Sequence, residues 1–273
     1  RKEFPAVAVI VAESNQVTIY DGDDPDLPMW MVFNQATNYI IYTTITSVYM
    51  LNGKLVVGVN PNASNYYDGG IKVFDFISEF IRGYSYTHSP HNYNLNISQR
   101  NANNASTVGS YSNSNGILVN PNVNDVAMTI RSSAPIDDTT GLPVPTIAVG
   151  TDGGLSIIKD DGIVIDYVPT TAAWHPLYVD VYKTDRFIMS LNGTAGGYIV
   201  PVESSDVTFN IAATPPDGWF HFRRDGGNQH IQTIDSNDTF VNELAVASPG
   251  GVSFFDVNES SYANSLLAYA TTS

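Results

Sequence analysis

Apolar and polar positions along this chain recur in short alternating runs, closed off by Gly, Asn and Asp. That is the period-two pattern of strands, not the 3.6-residue stripe of helices. In "GLSIIKDD" (154–161) Leu155 and Ile157 share one face, with Ser156 and Ile158 on the other. In "IKVFDF" (71–76) Ile71, Val73 and Asp75 oppose Lys72, Phe74 and Phe76. Both faces carry apolar residues, as in strands covered on two sides. The one helix-like run, "DFISEFI" (75–81), is read as including a strand edge.

Five segments share one order: an apolar strand, a Gly- or Asn-containing turn, a second strand, then a third short apolar run. They are "AVAVIVAESNQVTIYDGDDPDLPMWMVF" (6–33), "GKLVVGVNPNASNYYDGGIKVFDFISEFIRGYS" (53–85), "PTIAVGTDGGLSIIKDDGIVIDYV" (145–168), "DRFIMSLNGTAGGYIVPVESSDVTFNIA" (185–212) and "NELAVASPGGVSFFDVNESSYANSLLAYA" (242–270). Four carry a glycine pair at the same place: Gly69-Gly70, Gly153-Gly154, Gly196-Gly197 and Gly250-Gly251; the first has Asn15 and Gln16 there. A further apolar stretch precedes most units, as in "SVYML" (47–51), "DVAMTI" (125–130), "LYVDVY" (177–182) and "HIQTI" (230–234), which makes four strands per unit.

Four antiparallel strands recurring at about 40–55 residues give the spacing of β-propeller blades. One small twisted sheet cannot cover both its faces, and packing blades side by side does so. The expected fold is therefore all-β, a single β-propeller domain over residues 1–273 with blades near 5–33, 39–86, 125–168, 177–212 and 230–273. The five visible blades either close a ring or belong to a larger one. A β-sandwich or a right-handed β-helix is the rival architecture. Residues 87–124, rich in Asn and Ser, form an inserted loop in this reading, with shorter non-blade segments at 132–144 and 214–229.

The glycine-rich stretch "VGTDGGLSIIKDDG" (149–162) invites comparison with a phosphate-binding loop. No Lys-Ser/Thr follows the glycines and no helix pattern follows the turn, so a hairpin is expected. The stretch resembles the turn of Asp-box or two-component-regulator propeller repeats. It departs from the sialidase Asp-box in lacking the serine-any-aspartate spacing and the aromatic end.

Composition narrows the function classes. The 273 residues hold 27 acids against 12 bases, a formal net charge of −15, so phosphate backbones and anionic membranes are repelled. No nucleic-acid partner and no membrane insertion are expected, since no apolar run approaches the roughly 18 residues needed to cross a bilayer. With no cysteine, disulfides and thiolate metal sites are excluded. The opening "RKEFPAVAVIVAE" has the basic start of a signal peptide. Pro5 interrupts its apolar run and Glu13 closes it, so a strand is expected, in a processed product or a piece of something longer.

Candidate chemistry is sparse. "TPPDGWFHFRRDGGNQ" (214–229) puts Trp219, His221 and Arg223 on one face of an extended run, an aromatic and basic strip able to stack on sugars or clasp a carboxylate. Trp174 and Trp30 are the next aromatic candidates. "DGDDPD" (21–26) offers Asp21, Asp23 and Asp26 as oxygen ligands for Ca²⁺, although Val32 stands where an EF-hand needs its bidentate glutamate. A solvated acidic turn is the expected reading, and no cofactor. His88 and His91 are spaced as a transition-metal pair but lack nearby acids. No G-x-S-x-G, H-E-x-x-H or P-loop is present, so no catalytic residue is assigned.

The segments "KEFPAVAVIVAESNQVTIYDGDDPDLPMWMVF" (2–33) and "TIAVGTDGGLSIIKDDGIVIDY" (146–167) resemble stretches of large tail-fibre-like or virion-associated structural proteins of marine bacteriophages. That resemblance implies a virion location, assembly with itself or other virion proteins, and binding of host-surface polysaccharide. It carries no catalytic motif. The alternatives are a propeller glycosidase or lyase acting on envelope polysaccharide, and a secreted or periplasmic interaction platform.

Overall fold

The computed structural model describes residues 4–34, 44–61, 69–86, 91–93, 117–170, 175–183, 185–191, 196–209, 220–223, 230–233, 243–248, 251–256 and 266–271. Among these residues every regular element is a strand. β1 (Ala8–Glu13), β2 (Gln16–Asp21) and β3 (Met29–Asn34) form a three-stranded antiparallel sheet in chain order. β4 (Thr44–Leu51), β5 (Lys54–Asn60), β6 (Gly70–Asp75), β7 (Phe80–Tyr84) and β8 (His91–Tyr93) form the second, also in chain order. β9 (Val123–Thr129), β10 (Thr146–Thr151), β11 (Gly154–Ile158) and β12 (Val164–Pro169) build the third.

β13 (Pro176–Lys183), β14 (Arg186–Leu191) and β15 (Gly196–Pro201) begin the fourth sheet. The chain then crosses to β16 (Val207–Phe209), which pairs parallel with β12 of the third sheet. It returns as β17 (Phe220–Arg223), which pairs with β15 and completes the fourth sheet. β18 (His230–Thr233), β19 (Glu243–Ser248), β20 (Gly251–Asp256) and β21 (Leu266–Thr271) make the fifth. Successive sheets of mainly antiparallel neighbours, each drawn for the most part from the next stretch of chain, are the blades of a β-propeller.

Three details differ from the sequence reading. β8 pairs with β7 as a fifth strand of the second sheet, although it falls in 87–124, read above as an inserted loop. The run "VTFNIA", expected as the last strand of the blade at 177–212, contributes β16 to the preceding sheet, and the strand that closes the fourth sheet comes from 214–229, read above as outside the blades. Outside proline every residue offers the same backbone donor and acceptor, so alternation predicts a strand without predicting its neighbour. The segment 75–81 is the end of β6, a turn at 76–79 and the start of β7.

The chain gathers into two compact units, Arg1–Val123 with Asp138–Leu142, and Asn124–Asp137 with Pro143–Ser273. In the first, one core is shared by two sheets. Val17, Ile19 and Phe33 of the first pack with Ile45, Leu55, Val57, Val59, Phe74 and Ile81 of the second. Burying each such side chain contributes about 1.5–3 kcal/mol, which is why neither sheet is stable with that face in water.

In the second unit β10 and β11 are wholly buried, and β13 lies against both β10 and β18. Polar groups fasten this contact. Asn124 Nδ2 donates to Asp152 Oδ1 at 3.0 Å and to the Pro176 carbonyl at 2.9 Å, and Asp125 Oδ2 accepts the Val179 N–H at 3.0 Å.

The glycine pairs have a steric cause. Gly70 and Gly154 adopt φ of +122° and +143° as they open β6 and β11. A Cβ there would stand 2.1 Å from the Tyr84 carbonyl oxygen and 2.3 Å from that of Tyr167. Both tyrosines lie on the next strand of the same sheet, so the second glycine of each pair marks one repeated close approach. The hairpin expected for 149–162 is present, with Thr151 paired to Gly154 across Asp152 and Gly153.

β16 is held by polar contacts. Asp206 Oδ1 accepts the Asp166 N–H at 3.0 Å, while Asp166 Oδ1 accepts the Ser156 hydroxyl at 2.6 Å. The Tyr167 hydroxyl donates to the Pro201 carbonyl and accepts the Glu203 N–H. Burial pushes that phenol well above its ordinary range. Burial likewise raises the Asp166 carboxyl to about 6; the Ser156 hydrogen bond opposes the shift and the Asp206 carboxylate adds to it.

A carboxyl raised on folding makes the native state bind more protons than the unfolded chain between about pH 4 and 6, so stability falls as pH rises through that window. Asp166→Asn, which keeps an acceptor for Ser156, is therefore expected to stabilise the protein above pH 6.5. The gain, discounted for solvent screening, is on the order of 1–2 kcal/mol. It should vanish below pH 4. Urea melts of both proteins at pH 4 and pH 8 check this, and equal differences at the two values would refute it.

Candidate functional site

The candidate site lies in the first unit and is built on Trp30. β3 departs from regular pairing with β2 at this residue: Ile19 faces Met31 and Tyr20 faces Met29, so Trp30 is the extra residue of a β-bulge. A bulge re-aims the side chain it carries and is a common device beside binding sites. The Trp30 ring meets Phe4 edge-on, with centroids 5.1 Å apart and planes at 69°, and meets Phe76 at 5.8 Å and 70°. Phe4 and Phe76 close the triangle at 4.7 Å. All three rings are partly buried, resting on the shared core. The indole Nε1 is buried with no hydrogen-bond acceptor, whereas a buried Trp N–H normally has one.

Two turns position the partners of Trp30. In the first, Asp23 accepts the Ala6 N–H at 2.9 Å and the Val7 N–H at 3.2 Å, and Gly22 donates to the Val7 carbonyl at 2.8 Å. This clamp fixes the segment that carries Phe4. Asp21 Oδ1 accepts the Asp23 N–H at 3.1 Å, and Asp24 Oδ1 accepts that of Asp26 at 3.0 Å. The sequence candidates for Ca²⁺ thus include a carboxylate that serves the backbone. Among the described residues no group of three or more His, Cys, Asp or Glu is placed to hold a metal ion.

The second turn follows β6. Asp75 Oδ1 accepts the N–H groups of Ile77 and Ser78, each at 3.0 Å, and its other oxygen pairs with the Lys54 ammonium across the strand pair. Burial pushes the Asp75 carboxyl up, but the Lys54 hydrogen bond and those of Ser78 outweigh it and hold the group below its ordinary value. The Phe76 N–H donates to the Gly53 carbonyl at 3.0 Å, which sets Phe76 beside Phe4 and Trp30. Leu27, Met29 and Ile77 are exposed on these same turns and strand.

Ring faces beside acidic turns suit a ligand with apolar faces and hydroxyl donors, the two properties of a sugar ring. Of the other sequence candidates, His221 and Arg223 fall on β17, opposite Tyr198 and Gly196, in the second unit. Trp174, Trp219 and His88 lie outside the described residues, and His91 is in β8. Sequence reasoning missed Phe4 and Phe76. The available signal was the aromatic spacing of "VFDF" (73–76), where alternation alone assigns Phe76 to a strand face.

No protein-family model and no curated protein sequence matches this chain. Solved structures do. Apo AztD from Citrobacter koseri aligns over 97% of this chain at 12% identity with a TM-score of 0.50, and this chain spans 57% of its length. The WD40 repeats of RRP9 align over 97% of this chain and 77% of theirs, at 8% identity and a TM-score of 0.48. The β-propeller domain of Cps50 (Swd1) from Myceliophteria thermophila aligns over 97% of this chain and 68% of its own, at 10% identity and 0.47. At such identities the likeness is one of fold alone, and the sheet order described above is that of a β-propeller. None of the three is described as a virion protein.

Proposed function

We propose that this chain is a binding module of a bacteriophage virion protein that holds host-surface saccharide at the aromatic edge built on Trp30. The observation that carries this reading is the bulge that seats Trp30 between Phe4 and Phe76, with its indole N–H lacking an acceptor. The three partly buried rings form an apolar edge on which a sugar face can lie, and the indole N–H, buried in this structure, becomes a donor to a sugar if the ring moves outward on binding. The resemblance of residues 2–33 and 146–167 to phage structural proteins supports the virion setting. The acidic surface is consistent with a neutral or cationic polymer as ligand and disfavours a polyanion.

The test incubates the protein with envelope polysaccharide from candidate host bacteria and follows bound protein and released sugar ends together. Saturable binding without release is expected. Trp30→Ala should weaken it about tenfold, the equivalent of roughly 1.4 kcal/mol, while Trp30→Phe should retain most of it. Release of sugar ends would replace this reading with an enzymatic one. Binding indifferent to Trp30→Ala would remove the site, and binding only to other virion proteins would make the edge an assembly surface.

A further inference from the structure

We propose, building on the saccharide reading, that the ligand of the Trp30 edge carries free ammonium groups, as a polymer of amino sugars without acetyl groups does.

The charge around the rings is one-sided. Asp23, Asp24 and Asp26 are exposed on the turn that clamps the Phe4 segment and leads into β3. Glu79 is exposed on the turn that carries Phe76. Residues 1–34 hold two bases, Arg1 and Lys2, against six acids. The Lys54 ammonium is bound to the Asp75 carboxylate across the strand pair, so that pair adds no net positive charge. The ring faces themselves carry the negative side of the aromatic quadrupole.

Shape selects an amino sugar from among cations. Phe4, Trp30 and Phe76 form one aromatic edge, and Leu27, Met29 and Ile77 are exposed on the same turns and strand. Such an edge takes the apolar face of a pyranose ring. A neutral hexose gains that contact alone. A hexose with an ammonium in place of one hydroxyl gains it too, and adds attraction to the carboxylates and the ring faces. A uronic acid meets repulsion from the same groups. Attraction between exposed charges reaches about 8 Å at physiological salt, so the carboxylates of the flanking turns need no direct contact with the sugar. A polymer repeats its ammonium at every unit and meets several of them together.

The probe is a pentamer of glucosamine, compared with its N-acetylated counterpart and with pentalysine by titration calorimetry of the intact protein. The measurement is made at pH 5.5, where amines are protonated and ordinary carboxylates ionised. Saturable binding of the glucosamine pentamer is expected, at least tenfold tighter than that of the acetylated pentamer. It should also exceed that of pentalysine, which has the charge without the sugar face. Raising NaCl from 50 to 500 mM should weaken it and leave the acetylated pentamer unaffected. The triple variant Asp24→Asn, Asp26→Asn, Glu79→Gln keeps hydrogen-bond acceptors, including the one that Asp24 offers to the Asp26 N–H. It should keep the melting temperature, lose about tenfold in affinity for the glucosamine pentamer and lose none for the acetylated one.

Equal binding of the two pentamers, lowered in both by Trp30→Ala, would overturn the ammonium assignment and leave the saccharide reading standing. Binding of neither pentamer would overturn it as well, while envelope polysaccharide still decides the saccharide reading. Pentalysine binding as tightly as the glucosamine pentamer, or unchanged affinity in the triple variant, would overturn the assignment alone. Glucosamine binding indifferent to Trp30→Ala would remove the site and the assignment together.

Discussion

Gly70→Ala and Gly154→Ala are each expected to lower stability by about 3 kcal/mol, against roughly 1 kcal/mol for alanine at other glycines with positive φ. The added methyl carbon would stand 2.1 Å from the Tyr84 carbonyl oxygen at residue 70, and 2.3 Å from that of Tyr167 at residue 154. Neither carbonyl belongs to a flexible side-chain end. Each lies on the adjacent strand, in the pairs Ile71–Tyr84 and Leu155–Tyr167, so relieving the clash means parting the strands. The backbone angles of +122° and +143° add a conformational cost.

Gly141 and Gly162 are the controls. Their φ values are +68° and +80°, and a Cβ on either meets nothing within 4 Å, so only the left-handed backbone is penalised. Urea denaturation of the four single variants, followed by tryptophan fluorescence, measures the contrast. Equal losses at Gly154 and Gly162 would show that the close approach is not what requires glycine.

Phe74→Ala should be the most damaging substitution in the first unit, costing about 4 kcal/mol. Phe74 is fully buried, with its ring 4.5 Å from that of Phe33 across the junction of the first two sheets and 6.5 Å from that of Phe76. Truncation removes the apolar burial and leaves a cavity that paired strands cannot collapse to fill. Phe74→Leu should cost under about 1.5 kcal/mol, because it keeps most of the volume. Combining Phe74→Leu with Phe33→Leu in a double-mutant cycle should return a coupling of roughly 0.5–1.5 kcal/mol for the ring pair. A loss below about 1.5 kcal/mol for Phe74→Ala would mean that the two sheets do not share one core. Because Phe76 touches both Phe74 and Trp30, this variant should also shift indole emission before unfolding begins.

Much of the blade order was legible because it is local. "GLSII" and "IKVFD" alternate with apolar residues on both faces, and the structure buries both faces of β11 and β6. The upstream runs "SVYML", "DVAMTI" and "LYVDVY" appear as parts of β4, β9 and β13. The candidate site was legible only as a single tryptophan. Its bulge is a register difference between two strands, and the spacing of "MWMVF" alone does not reveal which residue β2 will skip. Phe4 stands 26 positions before Trp30 and Phe76 stands 46 after it, so only tertiary packing brings them together. Asp23 illustrates the same limit. An acidic turn offers oxygens to a cation or to backbone N–H groups, and the choice depends on what the fold places opposite, here Ala6 and Val7.

By itself, then, the sequence determined strands, hairpins and their repeat, since period-two burial and the φ tolerance of glycine act within a few residues. The tertiary structure decided that β16 joins the third sheet and β17 the fourth, and that burial raises the Asp166 carboxyl to about 6. Outside proline the backbone offers the same hydrogen-bonding groups along the chain, and a carboxyl's proton affinity follows its surroundings, so these outcomes depend on which distant segment packing brings alongside.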